Sequence, residues 1–344
     1  MNDEKNEVTK SHVPTQKHLY VYTSFLAILL IAAGYNYGPY VFFIAITAYA
    51  VALPIELLFA RYRKRDLDKS WMVTPLVITL LMPPSIPLWI VGVASGFGIF
   101  FGKAIFGGLG KNVFNPALVG VLFVTISFSP FMISQWFNPE DADMLLPSTE
   151  EIGYSNATDD VITSATPLIS MNASDDSYEY RTIDLLFGNV SGTLGETFRV
   201  GILILGVGLL LLKVADWRIP TALIGTVFFA TFLGKLLLPN AFPDPVVTFL
   251  DGGVFFDALS VAFMSLLVGG VLFGAFFIAT DPVTAPRKQW PKVFYAIGIG
   301  LLVVLIRNFA TFAEGLVFAI IIMNAVAPLL DQWNDTTTVE TEGA

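Results

Sequence analysis

The sequence predicts an all-α integral membrane protein of about ten transmembrane helices. Its mean hydropathy is +0.69, 55% of its 344 residues are hydrophobic and only 14% are charged. A soluble domain typically has about 25% charged residues. The bilayer is therefore expected to be the main solvent of this chain.

Nine apolar runs are long enough to form a spanning helix of about twenty residues, at roughly 19–34, 39–59, 87–106, 115–135, 198–213, 219–238, 258–279, 293–307 and 315–331. A shorter run, 71–82, leads into the proline-rich stretch Met82 to Pro87. Prolines remove backbone donors, and such breaks are tolerated only against protein or a cavity. We interpret this run as a tenth, broken helix; a re-entrant hairpin is the alternative.

The basic residues decide between these two topologies. With ten crossings and a cytoplasmic amino terminus, fifteen of the nineteen Lys and Arg residues fall on the cytoplasmic side, as the positive-inside rule requires. A re-entrant 71–82 segment would place the basic cluster 287–292 outside. The sequence therefore predicts a multi-pass protein of a prokaryotic cell membrane, with both termini in the cytoplasm.

One long polar loop divides the ten spans into two groups of five. The predicted segments are an amino-terminal segment, two membrane halves, the loop between them and a cytoplasmic tail: 1–18, 19–135, 136–197, 198–331 and 332–344. Because five crossings per half reverse the orientation of the second half, two inverted repeats with broken helices are expected. Asn115 and Pro116 open the last helix of the first half, and Asn324 with Pro328 interrupts that of the second.

Composition excludes several kinds of chemistry. The chain has no cysteine, and both histidines precede the first span, so thiolate-ligated iron–sulfur clusters and haem held by a histidine pair within the membrane are excluded. A net charge of −9 argues against nucleic acid as a partner. No metal site and no catalytic residue is predicted.

Three acids lie near the predicted membrane boundary: Glu56, Asp281 and Asp331. Burial of an ionised side chain is costly unless it is paired, hydrated or functional. Asp281 and Asp331 can serve cation access, and each of the three can be an ordinary helix-end carboxylate. In that case Glu56 is expected to reach Arg61 or Arg63.

The long loop carries twelve acids and a single base, which favours an extracytoplasmic position. Within it, Asp160 is followed by the small-residue turn Thr163, Ser164, Ala165 and Thr166, and then by a proline that favours extended backbone. A threonine hydroxyl exposed on such a turn is open to modification by another enzyme. A chance Ser/Thr-rich loop is the alternative for so short a pattern.

A second motif, residues 106–117, runs Phe-Gly-Gly-Leu-Gly-Lys-Asn-Val-Phe-Asn-Pro-Ala between the fourth and fifth helices. Its glycines permit positive φ and close backbone approach. Asn112 and Asn115 offer paired donors and acceptors at the membrane boundary. By itself the motif is also compatible with a tight helix–helix turn.

Both motifs and the proline break resemble the NqrB/RnfD family. The resemblance runs in order over about 70–335 and includes segments near 186–197, 216–220, 279–286 and 314–331. Length and the short amino-terminal segment look most like RnfD. The resemblance implies FMN joined through its phosphate to Thr166 by a flavin transferase, with Asp160, Thr163, Ser164 and Ala165 forming the recognition motif. Glycine is usual in the family where this chain has Ser164.

The resemblance also implies a non-covalent riboflavin held by Asn112 and Asn115. The expected partners are the lipid bilayer and the other membrane and peripheral subunits of an Rnf-type complex, which couples electron transfer to Na⁺ or H⁺ movement. The chain would not be catalytic alone. The alternative function is a urea-transporter-like channel or transporter without redox chemistry, which the same architecture would serve.

Overall fold

The computed structural model describes residues 15–133, 182–188, 190–243, 253–310 and 315–341. Within these ranges the regular structure is helical, and no strand occurs. The predicted all-α class is therefore confirmed for the described part of the chain.

The main helices follow the predicted runs closely. They are α1 Gln16–Tyr37, α2 Tyr40–Tyr62, α3 Val73–Leu80, α4 Leu88–Ile99, α5 Pro116–Ser127, α6 Arg199–Leu211, α7 Arg218–Leu237, α8 Val254–Leu267, α9 Gln289–Phe309 and α10 Leu316–Thr341. Shorter pieces include a 3₁₀ turn Lys69–Met72 before α3, a π-helix Phe100–Ala104 that continues α4, and helices Ser129–Ile133 and Thr182–Phe187.

Helix packing follows the same pattern in the two halves of the chain. In the first half, α2 packs against α3 and α4, and α4 packs against α5. In the second half, α7 packs against α8 and α9, and α9 packs against α10. The halves meet where α1 contacts α6 and where α5 contacts α10.

Glycines allow α4 and α5 to touch along their backbones. A Cβ on Gly120 would lie 2.1 Å from the Ala94 carbonyl oxygen, and one on Gly98 would lie 2.5 Å from that of Pro116. Small residues at helix contacts are typical of membrane bundles, where packing supplies much of the association energy.

In the described part of the chain, α3 and α8 each end at a break, and the sequence located the first of these breaks. Helix α3 ends at Leu80, just before the predicted proline break. The run predicted as continuous over 258–279 is instead α8, a break, and a helix Val271–Phe273 that continues as the π-helix Gly274–Ile278. The break includes Gly269 and Gly270, with φ of 67° and 60°, which glycine adopts readily.

The broken ends are satisfied by a connecting segment, residues 190–198, and by two arginines. Gly195 N donates to the Leu80 carbonyl (2.6 Å) and Leu194 N to that of Met82 (3.1 Å). Arg199 donates to the Leu267 carbonyl, and Arg307 donates to those of Ser265 (2.9 Å) and Gly269. Backbone groups freed within an apolar bundle need such partners.

By length and apolarity, four described helices can each cross a membrane: α1, α2, α7 and α9. Helix α8 and the segment Val271–Ile278 form a fifth crossing if the pair, bent by 61°, is one broken span. Shorter apolar helices are Leu88–Ala104, Pro116–Ser127, Arg199–Leu211 and Leu316–Gln332. Helix α10 extends to Thr341, ten residues beyond the predicted end of its apolar run at 331. It is continuous through Asn324 and Pro328, so the predicted interruption at these residues is wrong.

Candidate functional site

Asn112 and Asn115, predicted as a flavin site, line one cavity. We call it the asparagine cavity; its empty space, including the part open to solvent, is about 790 Å³. Its walls come from the start of α1, the 3₁₀ turn with α3, the π-helix after α4, the glycine-rich turn with the start of α5, the α6–α7 loop, and residues 280–283. Most of these walls are apolar, with a few polar groups among them.

Asn115 is the N-cap of α5. Its Oδ1 accepts from Ala117 N at 3.0 Å, with Pro116 in the first helical position, a favourable start for a helix. Its Nδ2 donates to Asp281 Oδ2 at 3.3 Å. Both ends of the amide are thus engaged, and the residue ties α5 to the opposite wall of the cavity.

Asn112 differs in one respect. Its Nδ2 donates to the Phe114 carbonyl at 3.0 Å, but its Oδ1 is buried and has no hydrogen-bond partner. The residue is only 7% exposed. A buried acceptor without a partner is costly, so a ligand that donates a hydrogen bond here would remove the cost.

The glycine-rich turn places both asparagines. Gly107, Gly108 and Gly110 have φ of 116°, 98° and 85°, a region that side chains disfavour. Leu109 N donates to Asp68 Oδ2 at 3.3 Å, which holds the turn against the α2–α3 loop. The motif therefore forms a tight helix–helix turn and also lines a cavity.

Asp281 stands on the wall opposite the turn. Besides the contact from Asn115, its carboxylate accepts from Val283 N at 3.1 Å and from the Thr284 hydroxyl at 3.2 Å. These donors fix the position of the carboxylate, which lines the cavity.

The expectation that Glu56 reaches Arg61 or Arg63 is wrong. Both its carboxylate oxygens contact Lys103 Nζ, at 2.6 and 2.7 Å, and the ammonium also donates to Ser70 Oγ at 2.7 Å. All three side chains are buried. Packing of α2 against the π-helix brings a distant lysine closer than the sequence neighbours.

Lys103 lines two cavities. Together with Ser70 it lines the asparagine cavity, and together with Glu56 it lines a second, more polar cavity bounded by the α2–α3 loop and the glycine-rich turn. The ion pair therefore lies between the two cavities.

Asp331 has a structural role in this fold. Its carboxylate accepts from Arg287 N (3.0 Å from each oxygen) and from Lys288 N (3.3 Å). These amides precede α9, so a side chain of α10 satisfies donors at the start of its neighbour.

The flavin attachment motif, comprising Asp160, Thr163, Ser164, Ala165 and Thr166, lies outside the described residues. Its assignment stays a prediction from sequence. In the described residues, no cluster of three or more metal-ligating side chains could hold a metal ion.

Sequence reasoning missed the contacts of Lys103 and Asp281 with this site. Lys103 carried a usable signal, because a lysine near the end of an apolar run needs a buried anion, and Glu56 occupies the matching end of α2. The contact between Asn115 and Asp281 spans 166 positions, and no local pattern indicates it.

The chain matches a known protein family over nearly its whole length. The model of the NQR2, RnfD, RnfE family covers residues 5–340. The chain belongs to this family. The family match and the apolar helices together indicate a multi-pass membrane protein.

The chain is similar to subunits of ion-translocating oxidoreductases. The RnfD subunit of the ion-translocating oxidoreductase complex of Alcanivorax borkumensis is 31% identical over 301 residues, covering 85% of this chain and 82% of the relative. Its counterpart in Aeromonas salmonicida is 31% identical, covering 88% of each. The NqrB subunit of the Na⁺-translocating NADH-quinone reductase of Ectopseudomonas mendocina is 33% identical over 81% of this chain and 62% of its own length.

Proposed function

We propose that this chain is the membrane-embedded flavoprotein subunit of an Rnf-type complex. It carries FMN covalently on Thr166 and a second, non-covalent flavin in the asparagine cavity, and takes part in electron transfer coupled to Na⁺ or H⁺ movement. Family membership supports the complex, since the relatives' names denote subunits of ion-translocating oxidoreductases.

The observation that carries the non-covalent site is Asn112. A flavin ring presents a flat apolar body and an imide N–H donor, and the cavity offers apolar walls beside a buried acceptor that has no partner. Ligand sites commonly combine such walls with a few placed polar groups. The residues present therefore fit the ring.

Bound flavin would supply one-electron and two-electron chemistry. The chain's own residues do other work. Asn112 would accept a hydrogen bond from the ring, Asn115 and Asp281 would hold the opposite walls at a fixed distance, and Val73 and Val77 would exclude water.

The proposed topology has ten crossings with both termini in the cytoplasm. Every wall of the asparagine cavity comes from a helix end or a loop that this topology places on the cytoplasmic side. The repeated packing of α2 to α5 and α7 to α10 supports two inverted repeats. Cysteines introduced at Lys64 and Asn156 should react with an impermeant thiol reagent from opposite sides; labelling from the same side would contradict this topology.

The covalent site rests on the Asp160 to Thr166 motif and on charge. Free FMN is held by Arg, Lys or a helix amino terminus, and the loop 136–197 has twelve acids and a single base. A phosphoester on Thr166 would hold the phosphate without those donors. Tethering would also raise the effective concentration of the flavin near its redox partners.

Thr166→Ala tests the covalent assignment. The chain, produced with its flavin transferase, should lose in-gel flavin fluorescence and the mass increment of FMN while inserting normally into the membrane. Thr158→Ala, in the same loop but outside the motif, should keep both. Flavin that survives denaturation of the Thr166→Ala protein would refute the assignment.

A further inference from the structure

We infer that Lys103 supplies the positive charge that favours the reduced form of the flavin in the asparagine cavity. The Glu56 carboxylate offsets part of the effect of this charge on the flavin. This inference rests on the proposed non-covalent flavin and assigns it an electrostatic partner.

The geometry of the triad gives Lys103 a fixed position. Its ammonium has three donors, and Glu56 Oε1, Glu56 Oε2 and Ser70 Oγ lie at 2.6, 2.7 and 2.7 Å from the nitrogen. Lys103 is 3% exposed and Glu56 is 8% exposed. All three N–H donors of the ammonium are therefore used inside the protein, which places the charge at the boundary between the two cavities.

The two members of the ion pair are placed unequally relative to the cavity. Lys103 and Ser70 line the asparagine cavity, whereas Glu56 lines the polar cavity on the other side. A ligand in the asparagine cavity therefore borders Lys103 directly, whereas the Glu56 carboxylate lies behind Lys103 on the side of the polar cavity. Among the described residues, the other ionisable side chains on its wall are His18, Tyr22 and Asp281.

Reduction makes the flavin ring more negative, so a nearby cation favours the reduced form and a nearby anion disfavours it. With both partners present, the carboxylate offsets part of the effect of the ammonium. Lys103→Met removes the cation from the cavity wall. Glu56→Gln leaves the cation without its counter-charge.

The two variants should therefore shift the midpoint potential of the non-covalent flavin in opposite directions. Lys103→Met lowers it and Glu56→Gln raises it. Each variant changes the ratio of affinities for reduced and oxidised flavin by roughly tenfold, the size expected of a unit charge about 10 Å away at an effective dielectric constant of about 20. The double variant returns toward the parent.

The measurement is a spectroelectrochemical titration of the full chain with Thr166→Ala, so that only releasable flavin contributes, with flavin content determined by acid extraction. Lys111→Met is the matched control, because Lys111 is exposed on the same turn and does not line the cavity. Its potential should equal that of the parent.

The outcomes separate the two claims. Opposite shifts support the charge role, since a purely structural defect would lower flavin content without shifting the two potentials in opposite directions. Retained flavin with an unchanged potential in both single variants, or shifts in the same direction, overturns the inference about Lys103. A parent chain that releases no flavin overturns the proposed non-covalent site instead.

Discussion

Buried polar and charged side chains have different neighbours in the asparagine cavity and around the connecting segment. At the connecting segment, Glu196, Arg199 and Arg307 form what we call the charge cluster. Arg199 and Arg307 donate to backbone carbonyls at the ends of helices and breaks. Glu196 Oε1 accepts from Thr193 N at 2.7 Å.

In the asparagine cavity, by contrast, the polar groups border open space. Asn112 has an acceptor without a partner, and Asp281 lies on the wall opposite the glycine-rich turn. Lys103 lies at the boundary with a second cavity. The comparison teaches that charge beside a broken helix does not by itself mark a ligand site. Each region holds a buried carbonyl or carboxylate oxygen without a partner, Glu196 Oε2 in the charge cluster and Asn112 Oδ1 at the cavity. The difference is that the arginines of the charge cluster donate to backbone carbonyls beside the breaks, whereas Asn112 lines a cavity.

The largest expected effect is on the charge cluster. Arg199→Met would leave the Leu185 and Leu267 carbonyls without this donor and remove a buried cation near Glu196. Loss of one partner from a buried ionic group costs about 3–5 kcal/mol. The unfolding temperature of the purified chain in detergent should therefore fall sharply.

Lys213→Met, which removes an exposed cation, is the control and should unfold near the parent temperature. Adding Glu196→Gln to Arg199→Met should recover part of the loss, because it removes the uncompensated carboxylate. An Arg199→Met protein as stable as the control would show that the charge cluster does not support the fold.

A smaller effect separates the two asparagines. Asn115→Ala removes a helix cap, which costs about 1 kcal/mol, and also breaks the contact with Asp281. Asn112→Ala removes a single internal hydrogen bond and also removes a buried acceptor that has no partner. The loss of folding stability should therefore be smaller. Both variants should lose releasable flavin, but only Asn115→Ala should clearly lower the unfolding temperature.

Asn115→Ser keeps an oxygen that can cap the helix and should restore most of the stability without the contact to Asp281. Equal destabilisation by Asn112→Ala and Asn115→Ala, with flavin content unchanged, would mean that both residues serve only the turn.

The smallest effect concerns Asp216 in the α6–α7 loop, which borders the cavity. Burial opposes its ionisation, but hydrogen bonds from Lys292 (2.7 Å) and Arg218 outweigh this and hold the pKa of the Asp216 carboxyl below its usual range. A lowered pKa stabilises the fold above the unfolded pKa of about 3.9. This stabilisation is lost as the pH falls through the folded pKa.

Asp216→Asn should therefore cost less than about 1 kcal/mol at neutral pH. The difference in unfolding temperature between variant and parent should shrink as the pH falls below about 3.9 and then through the folded pKa, because the parent carboxyl becomes neutral only below the folded pKa. A difference that persists unchanged at low pH would assign the effect to packing rather than charge.

The sequence predicted the positions of most helices because apolar run length is a local property. Proline position was a less consistent signal, since Pro54 and Pro328 lie inside continuous helices. Asn115 followed by Pro116 marks the start of α5, and the proline pair marks the break after α3. The break after α8 was missed, because Val268, Gly269 and Gly270 do not interrupt the apolar run by composition.

The candidate site was predictable only in part. The asparagines were found through a motif, but their different roles depend on a contact between Asn115 and Asp281 that only the fold creates. Glu56 was assigned to its sequence neighbours, whereas helix packing selects Lys103. Local spacing does not reveal which distant side chain fills a buried position.

The central claim, that this chain holds two flavins in different ways, is tested most directly by a flavin inventory of the purified chain after acid precipitation. The account predicts that the parent retains one pool on the precipitated protein and releases another. Asn112→Ala should lose only the released pool, and Thr166→Ala only the retained pool. A parent with a single pool, or a variant that loses the pool assigned to the other residue, would contradict the account.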